Sequence, residues 1–171
     1  MRQLIVPPSL QIQIPDGPAG TRETLKQMRK LARLGKQNPA NRDLANQLTA
    51  QCDEKAWFQE IRAIFAYVQK EIRYALDTNG IEVLQAPELT VELGYGDCDD
   101  KCILLGTLLE CAGHPAKFVA LGFNDQVREF THVIVMTSGA GETQWMALDP
   151  TEPNPAGWAP PGVCWEMEAS I

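Results

Sequence analysis

The sequence predicts an α+β domain, with helices gathered in its first two thirds and antiparallel strands in its last third. Three patterns support this. Apolar residues recur at helical spacing between residues 21 and 74, the run from Cys98 to Ala112 is apolar on nearly every side, and three β-branched, aromatic stretches then follow between polar or glycine-containing turns. At 171 residues the chain is long enough for one core and short for two. A composition 44% apolar and 22% charged excludes a disordered chain.

In residues 1–20, four prolines interrupt the short alternating piece "LQIQI", which reads as an extended arm with one edge strand. No apolar run approaches the roughly eighteen residues of a membrane helix, and Pro7-Pro8 breaks the opening before a signal-peptide core can form. A cytoplasmic location without a membrane partner is therefore expected. The five cysteines are an odd number in a chain too large to need stapling, which also points to a reducing compartment.

In "TRETLKQMRKLARLGKQ", Thr21 is an N-cap candidate and Leu25, Met28, Leu31 and Ala32 share one face of a helix ending near Gly35. Arg22, Lys26, Arg29, Lys30, Arg33 and Lys36 fall within about 120° of arc, a basic stripe over residues 21–36. The net charge is −7, divided as +5 in residues 1–36 and −12 in the remainder, which argues against nucleic-acid binding. The stripe is open to two readings: a solvated face, or a docking face for an acidic partner or for this chain's own acidic remainder.

Asn38-Pro39 opens a second helix through about Ala50, as a cap followed by a proline at the first helical position. Asp53 is the cap expected for a third, in which Ala56, Trp57, Ile61, Ile64, Phe65, Val68 and Ile72 form a core face up to about Tyr74. Residues 77–96 are turn-rich and read as an irregular loop beside a functional site. From Cys98 to Ala112 follows a central, buried helix, stopped by Gly113 and Pro115, then the strands "AKFVALGF", "THVIVMTS" and "TQWMALD". The proline-rich tail reads as a wrapping loop, with "CWEME" as a last edge strand. Three segments result: an arm (1–20), a folded domain (21–155) and a C-terminal wrap (156–171).

The chemistry concentrates in "YGDCDDKC", residues 95–102. Cys98, Cys102, Cys111 and His114 have the composition of a zinc set, but on one helix Cys111 lies about 20 Å along the axis from Cys98. They cannot share one ion. A calcium loop fails as well, because the glycine and terminal glutamate needed after "DCDDK" are missing. No metal or other cofactor is expected. A nucleophile fits better: Cys98 begins a buried helix, where free N–H groups and the positive dipole end favour thiolate.

Of the two histidines, His114 lies in the turn "GHP" and reads as exposed and inert, while His132 opens a strand. If "THVIVMTS" and "TQWMALD" form a hairpin about Ala140-Gly141, His132 faces Asp149, Ile134 faces Ala147 and Met136 faces Trp145. The carboxylate would then fix one ring nitrogen and leave the other for the thiol. Lowering a cysteine pKa from about 8.5 to about 5 requires roughly 5 kcal/mol, of which a helix terminus supplies at most about 2. The imidazolium must supply most of the rest, with Asp97, Asp99 and Asp100 capping the helix and pointing away from the sulfur.

"YGDCDDKCILLGTLLECAGHPAKFVA", "THVIVM" and "WMALDPT" resemble the transglutaminase-like superfamily, whose fold is that of papain-type cysteine proteases. The resemblance spans about residues 60–155. It implies Cys98 as nucleophile, His132 as base and Asp149 as orienting acid, the three residues that geometry selects. Where such proteins often carry an aromatic shortly after the histidine, this chain has Val133 and Ile134, and for the oxyanion-stabilising side chain Tyr95 is the candidate. The "IRYALD" and "APEL" pieces and the basic leader resemble short members encoded among phage structural genes. The implied activity is thiol-dependent acyl transfer, chiefly hydrolysis of a peptide or protein amide, with the Cys98 N–H as an oxyanion donor. The implied alternative is a virion or assembly module that keeps the fold and engages neighbouring virion proteins through the arm and the basic helix.

Overall fold

The computed structural model describes residues 2–6, 10–76 and 81–171; for residues 2–6, 10–13, 81 and 82 it describes the backbone. The proline pair 7–8 and the turn residues 77–80 lie outside the described residues. The opening arm forms a hairpin: β1 (Arg2–Val6) pairs antiparallel with β2 (Leu10–Ile14). α1 (Pro18–Gln37) begins three residues ahead of Thr21 and runs through Gly35. A Cβ at Gly35 would lie 2.7 Å from the Pro87 ring and 3.0 Å from the Thr107 methyl, so the glycine serves close packing and does not end the helix. Of the basic stripe, Arg22, Lys26, Lys30, Arg33 and Lys36 are exposed. Lys36 reaches the acidic remainder of the chain, bonding Glu110 at 2.8 Å.

α2 (Pro39–Thr49) starts as expected, with the Asn38 side chain accepting from the Ala40 N–H at 3.0 Å. α3 (Trp57–Glu71) is shorter than its apolar pattern at both ends. Asp53 belongs to a turn before it, and Ile72 leads into β3 (Arg73–Tyr74). The stretch read as an irregular loop is more ordered than expected. It holds β4 (Ile81–Val83), parallel to β1, then α4 (Pro87–Leu93), and β5 (Tyr95–Gly96), parallel to β3. Two- and three-residue strands carry too little alternation to be read from sequence.

α5 (Cys98–Cys111) is the centre of the molecule, with Asp100 through Leu109 all buried. It packs against the helices α1, α2, α3 and α4 and the strands β6 (Ala116–Gly122) and β7 (His132–Thr137). A helix enclosed this way must be apolar all round, which is how its sequence reads. The strands form an antiparallel sheet in the order β8-β7-β6-β9, where β8 is Met146–Leu148 and β9 is Trp165–Ser170. The tail therefore ends as an edge strand of this sheet. Among the described residues, no helix is long and apolar enough to cross a membrane.

Candidate active site

The site forms where the first turn of α5 meets the start of β7. Asp97 caps the helix, its side chain accepting from the Asp99 and Asp100 N–H groups at 2.9 and 3.2 Å, while Asp100 Oδ2 accepts from the Asp97 N–H. The other Asp100 oxygen takes the Gln85 N–H at 2.8 Å, stapling the segment before α4 to the helix. A Cβ at Gly96 would come within 2.6 Å of the Asp100 Cβ, so only glycine lets β5 pass this close. The Cys98 N–H takes no part in this capping box.

The Val133 peptide joins helix to strand through two cysteines. The Cys102 thiol donates to the Val133 carbonyl at 3.4 Å, and a backbone hydrogen bond with Val133 reaches Cys98 one turn earlier. Cys98 is thus held beside the residue that follows His132. Burial pushes its thiol well above the usual cysteine range, Asp99 and Asp97 push it further, and the Val133 hydrogen bond works against them. The expectation that all three aspartates point away fails for Asp99, whose Oδ1 lies 3.9 Å from the sulfur as its acceptor. Asp97 and Asp100 on either side of it form the capping box, whereas Asp99, directly after the cysteine, accepts from the thiol.

His132 Nε2 and Asp149 Oδ2 are 2.8 Å apart. The contact forms in a different register from the one expected: Val135 pairs with Leu148, Met136 with Ala147 and Thr137 with Met146, a shift of two positions. The cause is a longer connection, in which Gly139 and Glu142 close a turn and β8 shrinks to three residues. A shift of two keeps every side chain on its face, so His132 and Asp149 become diagonal neighbours instead of opposite ones. Thr151 completes the arrangement, donating from its hydroxyl and its N–H to Asp149 Oδ1 at 2.6 and 3.0 Å. Burial raises the Asp149 pKa, but the bonds from His132 and Thr151 outweigh it and hold the carboxyl below its ordinary value.

Tyr95 and Tyr74 part company here. In the parallel β3–β5 pair, Tyr74 is opposite Gly96 and Arg73 opposite Tyr95, so Tyr95 is on the other face from the glycine that touches Asp100. Tyr74, half-exposed and opposite Gly96, is the phenol that the charges of this turn act on: burial, Cys98, Asp97, Asp99 and Asp149 together push it up to about 12. It stays a hydrogen-bond donor throughout the neutral range. Its sequence signal is faint, a single aromatic just past a helix end.

The remaining zinc candidates are scattered. Cys111 lies at the far end of α5 near the Lys36 carbonyl. His114 is fully buried, contrary to expectation, with Nε2 2.8 Å from Glu60 Oε2 and its ring edge-on to Trp57. The "GHP" turn is covered by α3, which local sequence could not reveal. A separate cleft of about 550 Å³ opens at the opposite end of the β7–β8 hairpin, between Trp57, Phe58, Met136, Trp145 and Met146, and neither Cys98 nor His132 lines it.

No curated protein matches the sequence. Among solved structures, a "putative protease" of Parabacteroides distasonis aligns with a TM-score of 0.58 at 16% identity, over 77% of this chain and 26% of that one. EGTA-treated LapG of Legionella pneumophila aligns with a TM-score of 0.53 at 17% identity, over 80% of this chain and 77% of that one. The chain thus spans about a quarter of the first relative and most of the second, and at such identities the likeness is one of fold. The model of the transglutaminase-like superfamily matches residues 42–150, from α2 to the end of the β7–β8 hairpin. On that match, covering well over half of its length, the chain belongs to the transglutaminase-like superfamily.

Proposed function

We propose that the protein is a cysteine acyl-transfer enzyme that hydrolyses a peptide or amide bond. Cys98 Sγ attacks the carbonyl carbon, and His132 takes the thiol proton and delivers it to the departing amine. Asp149 holds the ring through Nε2, which leaves Nδ1 to work on the thiol. The Cys98 N–H and the Tyr74 phenol are the donors for the carbonyl oxygen as it becomes an oxyanion. Water then releases the acyl group from the thioester. The partly exposed His132 and half-exposed Tyr74 leave that thioester open to water, which favours hydrolysis over transfer to another amine.

The observation that carries this reading is the His132–Asp149 pair at the head of a strand whose next peptide bonds the Cys98 thiol. Because burial and the neighbouring carboxylates favour the neutral thiol, the proton moves to His132 during attack instead of resting there beforehand. The test is acylation by p-nitrophenyl acetate, followed by release of p-nitrophenolate and by peptide mass. An acetyl group on Cys98, absent in Cys98→Ala, is expected, and alkylation of Cys98 by iodoacetamide should keep accelerating past pH 9. Equal, slow labelling of all five cysteines would instead favour a binding module, the reading to which the exposed basic side of α1 lends itself.

A further inference from the structure

Lys101 is only 2% exposed, and among the described residues no other lysine or arginine is buried. A buried ammonium is costly unless acceptors surround it, so its partners indicate what it is for. Its Nζ donates to the Ile72 carbonyl at 2.6 Å and reaches the Gln69 carbonyl at 3.5 Å. Gln69 is in the last turn of α3 and Ile72 caps it, where a helix leaves carbonyls without partners and its dipole favours a cation. Ile72 leads directly into β3, which carries Tyr74. On α5, Lys101 stands three positions after Cys98, on the same side of the helix. One side chain therefore links the turn that presents the thiol to the strand that presents the phenol. Burial lowers its pKa overall, and the Asp149 carboxylate works against that by favouring the ammonium form. A methionine would fill this space without an ion to desolvate, so packing does not account for a lysine here.

We propose that Lys101 is a positioning residue: by holding the Ile72 carbonyl it sets Tyr74 against Cys98, so that the phenol meets the oxyanion. The β3–β5 ladder fixes the register of Tyr74 along the strand, and Lys101 fixes how closely the strand's entry approaches α5. The proposal rests on Cys98 being the nucleophile.

Two probes separate the roles. In acylation by p-nitrophenyl acetate, the thiol sulfur bonds to the ester carbonyl, an oxyanion forms, and p-nitrophenolate leaves as the acetyl thioester is made. In alkylation by iodoacetamide, sulfur displaces iodide and no oxyanion forms. Lys101→Met should slow acylation of Cys98 about ten-fold or more while leaving the alkylation rate and its pH profile within about two-fold. Combined with Tyr74→Phe it should add little, because both changes remove the same interaction. If Lys101→Met does not fold, Lys101→Gln keeps a polar side chain, one bond too short to hold the Ile72 carbonyl as the lysine does, and the same fall in the acylation-to-alkylation ratio is expected. Parallel loss of both reactions, or effects of Lys101→Met and Tyr74→Phe that multiply, overturns the positioning role. A wild-type Cys98 inert to both probes overturns the acyl-transfer reading, and this role with it.

Discussion

The molecule contains two histidine–carboxylate pairs with the same separation and different surroundings. His132–Asp149 and His114–Glu60 both close at 2.8 Å. In the first pair the imidazole is partly exposed and its carboxylate is buried, at a strand end beside a thiol. In the second the ring is wholly buried, its carboxylate is partly exposed, and its Nδ1 is enclosed without a partner among the described residues. The hydrogen bond alone thus says little about chemistry. What distinguishes the pairs is access and position: the His132 ring is partly open to solvent at the head of a strand packed on α5, and the His114 ring joins α3 to the turn after α5.

Exchanging the two histidines for alanine is the strongest test of that contrast. His132→Ala should lower turnover of p-nitrophenyl acetate by about 10³-fold, or about 4 kcal/mol in the barrier, while unfolding stability falls by only about 1–2 kcal/mol because Thr151 keeps its two bonds to Asp149. His114→Ala should do the reverse, costing about 2–4 kcal/mol in urea unfolding by opening a cavity and stranding Glu60, with turnover per folded molecule within about two-fold. Loss of turnover in both variants without loss of stability would erase the distinction between the pairs.

The second test sharpens the same contrast at the two tyrosines. Tyr74→Phe removes a donor from the neighbourhood of the sulfur and should reduce kcat by about 10- to 100-fold, the modest end for an oxyanion donor because the residue is half-exposed. Tyr95→Phe, on the other strand face, should change kcat by less than about two-fold. Steady-state kinetics on both variants decides between them, and a larger effect from Tyr95 would return that residue to the site.

The ease of reading each feature tracks how local its cause is. The extent of α5 was legible because a helix enclosed on all sides must be apolar all round, and the Asn38-Pro39 start of α2 because capping is a contact between near neighbours. His132 with Asp149 was legible through strand alternation, which survives an error of two in register but would not survive an error of one. The burial of His114 depends on Trp57 and Glu60, more than fifty positions away, and the approach of Tyr74 depends on a two-residue strand. Neither leaves a periodic mark. Lys101 did leave a signal, a single cation within the buried helix, since a charge enclosed there needs acceptors from another element.

The smallest expected effect concerns acid. The Asp149 carboxyl is held below its ordinary value in the folded protein, its bonds from His132 and Thr151 outweighing burial. A carboxyl depressed on folding adds stability above its unfolded pKa, about 3.9, and that stability disappears as pH falls through the lower, folded value. Asp149→Asn cannot ionise and lacks this contribution at every pH. The variant should therefore unfold at lower urea than wild type at pH 7, and the gap should hold down to about pH 5 and narrow below pH 4. A gap that is constant from pH 7 to pH 3 would mean that the His132 contact stabilises the fold as a neutral hydrogen bond, without the charge that orients the ring for proton transfer.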